Sequence, residues 1–139
     1  MRVFLDTNVL ASGMATRGLC SDVVRTVLEW HELVVSERML SELKRVLHEK
    51  FDVPEDAVAE SLWLLRQDSI CGEDEPRIDI RIADKDDIPI LSAAKNAGAE
   101  VFVTGDAEVR AAGTVGSMRI ISPRQFWDEL RGETKKSGI

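Results

Sequence analysis

The stretch that decides the fold is residues 2–8, Arg-Val-Phe-Leu-Asp-Thr-Asn, in which a short apolar run ends directly at the carboxylate of Asp6. The pattern returns at 101–106, where Val-Phe-Val is followed by Thr-Gly-Asp and ends at Asp106. Short apolar runs predict buried strands, and parallel strands present their carboxyl ends at one edge of a sheet, where ligands bind. We therefore expect Asp6 and Asp106 to meet in space, although each could simply cap the turn or helix that follows it.

Helical and extended patterns alternate along the rest of the chain. Short apolar runs predict strands over 33–35, 69–71 and 118–121. Apolar stripes with start and stop signals predict helices over 22–31, 37–49, 55–65, 87–97 and from 123 onward. Because strands that alternate with helices form parallel βαβ units, we expect an α/β fold, a three-layer α/β/α sandwich with a central, mostly parallel sheet.

Several helix boundaries depend on single residues. Ser21 and Ser36 are the predicted N-caps of the helices over 22–31 and 37–49. The first of these helices is expected to turn Leu28 and Trp30 inward. A helical turn that starts near Val9 is predicted to break at Gly13.

Length and composition indicate a single globular domain. The chain has 139 residues, of which 44% are hydrophobic and 31% charged. We expect one domain over 1–131 and a polar tail at 132–139 that frays. The alternation of three isoleucines with charged residues at 78–82 predicts an extended segment at an edge of the domain.

The charge and cysteine content exclude several functions. A net charge of −7 argues against wrapping duplex DNA by bulk electrostatics. No apolar run reaches the roughly 18–20 residues needed to span a bilayer, and the early carboxylate of Asp6 argues against a signal peptide. Cys20 and Cys71 are far apart and form neither a disulfide scaffold nor a cysteine zinc site, so we expect a reducing, cytoplasmic location without a membrane partner.

Two more acids, Asp87 and Glu42, are candidates for a functional site. Asp87 begins the predicted helix over 87–97, directly behind Asp84 and Asp86, although a helix N-terminus favours aspartate without any further role. Glu42 borders the apolar stripe of the helix over 37–49, and on its own it is more simply a solvated glutamate near Arg38 and Arg45. Clustered carboxylates are the oxygen ligands that hard divalent cations take.

Four of these acids lie in segments that resemble those of one known family. Residues 4–10, Phe-Leu-Asp-Thr-Asn-Val-Leu, resemble the opening motif of PIN-domain nucleases. Residues 41–43, Ser-Glu-Leu, and 87–94, Asp-Ile-Pro-Ile-Leu-Ser-Ala-Ala, resemble the segments of the second and third acids. Residues 103–106, Val-Thr-Gly-Asp, resemble the segment of the fourth acid, and 120–126 resemble the last strand and helix of many prokaryotic members. The resemblance covers about residues 3–130, and four acids in this order are specific in combination.

The resemblance implies a ribonuclease that depends on Mg²⁺ or Mn²⁺, similar to the VapC-type toxin components of toxin–antitoxin pairs. It implies that RNA is the substrate, that a cognate antitoxin protein is a partner, and that the products carry a 5′-phosphate and a 3′-hydroxyl. It also favours a homodimer, as does the run Leu-Trp-Leu-Leu at 62–65, which gives one helix apolar residues on more than one face. RNA affinity is expected to depend on the metal and on local arginines, namely Arg38, Arg45 and Arg110.

The resemblance also implies a role for each site residue. Asp6, Asp87 and Asp106 would be metal ligands, and Glu42 would position a water molecule or act as general base. The number of metal ions, one or two, is left open, and so is the choice of Asp84 or Asp86 in place of Asp87 as the third acid. The remaining candidates would orient the ligands or contact the scissile phosphate, and they are Thr7, Asn8, Thr104 and Glu108, the last of which stands where the family often has an aspartate.

Two other functions are compatible with parts of this pattern. A haloacid-dehalogenase-like phosphatase also uses an aspartate after its first strand, but it needs a second aspartate two residues later, where this chain has Asn8. A catalytically weak PIN-like module that binds RNA or protein is the alternative outside catalysis. The full set of acids argues against it, because carboxylates that repel one another destabilise a fold unless a cation binds them.

Overall fold

A six-stranded sheet forms the middle of the protein in a computed structural model that describes residues 1–82 and 84–137, with only the backbone described over 133–137. The order across the sheet is β3-β2-β1-β4-β6-β5, and every neighbouring pair is parallel except β5 with β6. The strands are β1 (Arg2–Leu5), β2 (Glu32–Val35), β3 (Ile70–Cys71), β4 (Val101–Val103), β5 (Thr114–Val115) and β6 (Met118–Ile121).

Helices flank this sheet and connect its parallel strands, which makes the protein a three-layer α/β/α sandwich, as predicted. The first helix packs on the second and third, the second also contacts the last, and the third contacts the fourth and fifth. The helices are α1 (Thr7–Ala15), α2 (Leu19–Trp30), α3 (Glu37–Glu49), α4 (Glu55–Asp68), α5 (Ile88–Asn96), α6 (Ala107–Arg110) and α7 (Pro123–Ser137), and a 3₁₀ turn (Lys85–Asp87) precedes α5.

The central strands β1 and β4 carry the core because both of their faces are covered. Val3, Phe4 and Leu5 are fully buried, and the rings of Phe4 and Phe102 stack across the two strands at 4.9 Å. Strands buried on both faces read as continuous apolar runs, which is why these segments stand out in the sequence.

The strand order reverses at β1 and β4. From β1 the chain builds outward through β2 and β3, and α5 then returns it to the other side of β1 as β4. Leu5 lies opposite Val103 in the parallel register, so both strands end at the same level. Such a switch point opens a crevice at the carboxyl ends of the strands, and here that crevice lies beside Asp6.

Two helix boundaries differ from the sequence prediction. α1 does not break at Gly13 but continues to Ala15. The role of Gly13 is to let α2 approach closely, because a Cβ there would overlap Val24 and the carbonyl of Cys20. α2 begins at Leu19 with Gly18 as its N-cap, at φ 136°, so the prediction of Ser21 as the cap was wrong. The predicted cap of α3 is confirmed, because Ser36 Oγ accepts a hydrogen bond from the Met39 amide at 3.2 Å.

The segment over 78–82, predicted to be extended at an edge of the domain, is not a strand and pairs with no described strand. Its isoleucines pack on the core, and side chains of α5 hold the backbone nearby. Ser92 Oγ accepts from the Ile78 amide at 3.0 Å, and Asn96 Nδ2 donates to the carbonyls of Glu73 and Pro76 at 2.9 and 3.0 Å. These contacts hold the start of the segment and the loop before it against α5.

Other differences lie at the surface and at the end of the chain. Leu28 and Trp30 are exposed, so the prediction that they face inward was wrong. α6 and β5 were not predicted, because four and two residues are too few to show a periodicity. The backbone of α7 is helical to Ser137 instead of fraying from Gly132, and the division between 1–131 and 132–139 stays a prediction. Among the described residues, no helix combines the length and apolar character required to cross a bilayer.

Candidate active site

Asp6 follows β1 at the crevice, and its side chain is held on both oxygens. The amide of Thr7 donates to Oδ1 at 2.8 Å, and the hydroxyl of Thr104 donates to Oδ2 at 2.7 Å. Burial raises the pKa of Asp6 and the charge of Asp106 raises it further, whereas the two hydrogen bonds lower it. Each oxygen accepts one hydrogen bond and keeps further acceptor capacity for a ligand.

Thr104 connects the ends of β1 and β4. It is fully buried, and its hydroxyl, which donates to Asp6, also accepts from the Asp106 amide at 3.1 Å. Its own amide donates to the carbonyl of Ile121 on β6 at 3.0 Å. A single threonine thus ties the carboxylate of one strand end to the backbone of the next.

Asp106 is the N-cap of α6 and is exposed toward the crevice edge. Its Oδ1 accepts from the amides of Glu108 and Val109 at 2.9 and 3.4 Å. Asp106 therefore caps α6 and also lies near Asp6, since its charge acts on the pKa of Asp6. The side chains of Asn8 and Glu108 are exposed next to the two aspartates in sequence.

Glu42 reaches the same region from α3. Thr7, which is buried, donates its hydroxyl to Glu42 Oε2 at 3.3 Å, and Glu42 itself is half-buried. The two nearby arginines are occupied elsewhere: Arg38 lies 3.6 Å from Asp74, and Arg45 lies 3.3 Å from Glu49. Glu42 is therefore held by a neutral hydroxyl next to Asp6, and the reading of a solvated glutamate beside arginines is not what the structure shows.

Asp87 completes the group from the start of α5. Its pKa is raised from 3.8 to about 6, first by burial and then by the charges of four other acids, Asp84, Asp6, Asp106 and Glu42. Asp84 Oδ1 accepts from the Asp86 amide at 2.9 Å and so caps the 3₁₀ turn, and both residues are exposed. Asp87 is half-buried, and the charges of the other carboxylates act on its pKa.

The resulting cluster is electrostatically uncompensated. Within the described part of the chain, no lysine, arginine or histidine lies within 4.0 Å of the carboxylates of Asp6, Glu42, Asp87 or Asp106. No three acidic, histidine or cysteine side chains of the described residues stand as a closed set of metal ligands. The donor chemistry nevertheless suits a hard cation, because oxygen ligands with unbalanced charge favour one.

Arg110 is bound to the turn between β4 and α6 by a contact that no sequence pattern indicates. It is half-buried, and its Nη1 donates to the carbonyl of Thr104 at 3.1 Å. Arg110 was one of three arginines expected to support RNA binding, but its contact with Thr104 depends on α6, a helix that was not predicted.

Comparison with known proteins gives the fold a family. A profile described as PIN domain matches residues 2–108. The solved structure titled VapBC2 from Rickettsia felis bound to a DNA fragment from their promoter contains a chain that matches with a TM-score of 0.59 and 13% identity, over 88% of this chain and 98% of that one. At this identity the likeness concerns the fold alone. Among curated proteins, none matches the sequence significantly.

Proposed function

Since the chain belongs to the PIN-domain family, we propose that it is an endoribonuclease that hydrolyses RNA phosphodiester bonds with bound Mg²⁺ or Mn²⁺. PIN domains are generally nucleases. Membership also removes the dehalogenase-like phosphatase from consideration. The observation that carries the proposal is the convergence of Asp6, Glu42, Asp87 and Asp106 on one crevice. The pKa of Asp87 there is raised to about 6, first by burial and then by the charges of Asp84 and the other three acids.

The carboxylates are proposed to hold the cation. Asp6, Asp87 and Asp106 are the ligands, since they come from the two strand ends and the helix start that border the crevice. A divalent cation at such a site neutralises charge on the phosphate and lowers the pKa of a water that it binds. Asp87 is favoured as the third acid because it is half-buried and because the charges of Asp6, Asp106 and Glu42 act on its pKa, after burial and the charge of Asp84.

The neighbouring side chains orient these groups. Thr104 fixes the Asp6 carboxylate, and Thr7 fixes Glu42, so neither acid is free to turn away from the crevice. Glu42 accepts a proton from the attacking water or positions that water for attack on phosphorus. The exposed side chains of Asn8 and Glu108 are proposed to contact the phosphate or the water around it.

We further propose that the protein is the toxin component of a cytoplasmic toxin–antitoxin pair. Support comes from the family and from a fold that is similar to a chain of the Rickettsia felis VapBC2 complex. The pair would consist of this nuclease and a cognate antitoxin protein that suppresses it.

A homodimer is proposed from an apolar surface on α2 and α4, formed by Leu28, Trp30, Trp63 and Leu64. These side chains are 48%, 76%, 59% and 53% exposed in the single chain. Leu28 and Leu64 also line a groove of about 560 Å³ between the two helices. Large aromatic and aliphatic side chains left exposed on helices that border one groove are typical of an interface.

The test is RNA cleavage by purified protein with Mn²⁺. We expect single-stranded RNA to be cut to products with 5′-phosphate and 3′-hydroxyl ends, and Asp6→Asn to abolish the reaction. Glu42→Gln is expected to lower kcat more than it weakens Mn²⁺ binding. Asp128→Asn and Glu60→Gln are the matched controls, since both acids are exposed on other helices.

Two results together would contradict the nuclease. One is that the wild type cleaves neither total RNA nor tRNA with Mn²⁺, and the other is that Asp6→Asn does not relieve growth arrest on overexpression. The binding-module function would then take its place.

A further inference from the structure

Arg110 is unlike the other arginines near the crevice. Arg38 and Arg45 are exposed and lie within 4.0 Å of carboxylates, at Asp74 and Glu49. The guanidinium of Arg110 is half-buried and donates instead to a backbone carbonyl, that of Thr104, at 3.1 Å. Among the described residues, no carboxylate lies within 4.0 Å of it.

The contact with Thr104 fixes where this cation stands. Thr104 is the buried residue whose hydroxyl holds the Asp6 carboxylate and accepts from the Asp106 amide. The backbone of Arg110 is tied to the same turn, because its amide donates to the Asp106 carbonyl at 3.0 Å. The guanidinium is thus held at a defined position on the turn that carries Thr104 and Asp106.

Most donors of Arg110 stay available to a ligand. A guanidinium has five N–H groups in a planar fork, and one of them is used by Thr104. A half-buried cation without an anionic partner is costly, which favours an anion that arrives from solution. Planar pairs of N–H groups match phosphate oxygens, and this geometry is what distinguishes arginine from lysine as a phosphate ligand.

We propose that Arg110 binds a phosphate of the RNA backbone next to the scissile bond. The inference rests on the proposed nuclease function and assigns one substrate contact to it. Arg110 supplies a positive charge to this phosphate, and a cation held by the carboxylates would supply a second one, so both would offset the negative charge of the phosphodiester. A group that anchors substrate in this way acts mainly on binding.

The experiment measures binding of a mixed-sequence single-stranded RNA of about 20 nucleotides in EDTA, where no cleavage occurs, by fluorescence anisotropy across a series of KCl concentrations. Each phosphate contact contributes about −0.7 to the slope of log K against log salt for single strands. We expect Arg110→Gln to flatten the slope by about 0.7 and to weaken binding at low salt roughly tenfold. Arg110→Lys is expected to keep the slope and lose part of the affinity, because the charge remains and the fork is lost.

Arg17→Gln is the matched control, since Arg17 is exposed beyond the far end of α1 and its loss changes the net charge equally. Equal slopes and affinities for Arg110→Gln and Arg17→Gln overturn the inference, and so does a wild type that binds no RNA. A lower Tm with an unchanged slope also overturns it, because Arg110 would then only brace the turn.

The two proposals fail separately. RNA binding that depends on Arg110 without any cleavage in Mn²⁺ keeps the inference and contradicts the nuclease. Cleavage in Mn²⁺ together with RNA binding that does not change in Arg110→Gln keeps the nuclease and contradicts the inference.

Discussion

Replacing Asp87 by asparagine is expected to stabilise the metal-free protein at neutral pH. The variant keeps the size of the side chain and removes one of several charges that repel each other. The pKa of Asp87 is about 6 instead of 3.8, chiefly through burial and then through the surrounding acids. A carboxyl whose pKa is higher in the folded than in the unfolded state destabilises the fold when it is ionised.

The size of the effect follows from that pKa. A rise from 3.8 to about 6 corresponds to roughly 3 kcal/mol as a ceiling. Because Asp87 is only half-buried, water screens the repulsion, and about 1 kcal/mol is expected to remain. For a chain of 139 residues, this predicts a Tm about 3–4 °C higher for Asp87→Asn in EDTA.

The pH dependence has a defined sign. Above about pH 6, Asp87 is ionised in both states and the wild type carries the full disadvantage. As the pH falls from about 6 to 3.8 the folded state is protonated first, and the difference between the two proteins disappears. Thermal unfolding of both proteins in EDTA at about pH 7.5 and about pH 4 measures it.

Metal and a control variant complete the test. Mn²⁺ is expected to raise the Tm of the wild type more than that of Asp87→Asn, because a ligand of the folded state stabilises by mass action. Asp128→Asn removes an equal charge from the exposed face of α7 and should change little. The reasoning is refuted if Asp87→Asn gains no more than this control at neutral pH, or gains as much at acidic pH.

Three further variants test other parts of the structure. Thr104→Val removes the hydroxyl that donates to Asp6. Because a hydrogen bond to a charged group contributes about 1.5–3 kcal/mol, we expect RNA cleavage in Mn²⁺ to fall at least tenfold. Thr104→Ser is expected to restore cleavage, and equal rates for both variants would contradict this role. Trp63→Glu places a charge on the proposed dimer surface; light scattering is expected to show a monomer with an unchanged circular dichroism spectrum, and a persistent dimer would locate the interface elsewhere. Ser36→Ala removes the N-cap of α3; urea unfolding is expected to show a loss of about 1 kcal/mol, and an unchanged midpoint would mean that the cap adds nothing.

The parts of the fold that could be predicted from sequence are those with local signals. β1, β4 and β6 are apolar runs that end at polar residues, and α3 has both a cap and a stripe. Gly13 was misread because its role is the approach of α2, a contact between elements that a local rule for glycine does not contain. The alternation at 78–82 also does not show what holds this segment, since the Ile78 amide donates to a side chain of α5.

The acids of the site could be predicted from the sequence, but the contacts that hold them in place could not. Asp6 and Asp106 follow apolar runs, so the rule for parallel strand ends is enough to bring them together. That Thr104 bridges them, and that Arg110 is bound to its carbonyl, depends on the register of β1 against β4 and on a four-residue helix. Neither contact is indicated by a periodic pattern in the sequence.

The hydrogen bond between Thr104 and Asp6 spans 98 positions of the chain, and this has a consequence for the protein while it is being synthesised. Asp6 leaves the ribosome first, but the strand that completes its surroundings, β4, is made in the last third of the chain. Contacts of such high sequence separation form late in folding. A polypeptide that ends before β4 therefore lacks the assembled crevice, and under the proposed function it has no nuclease activity.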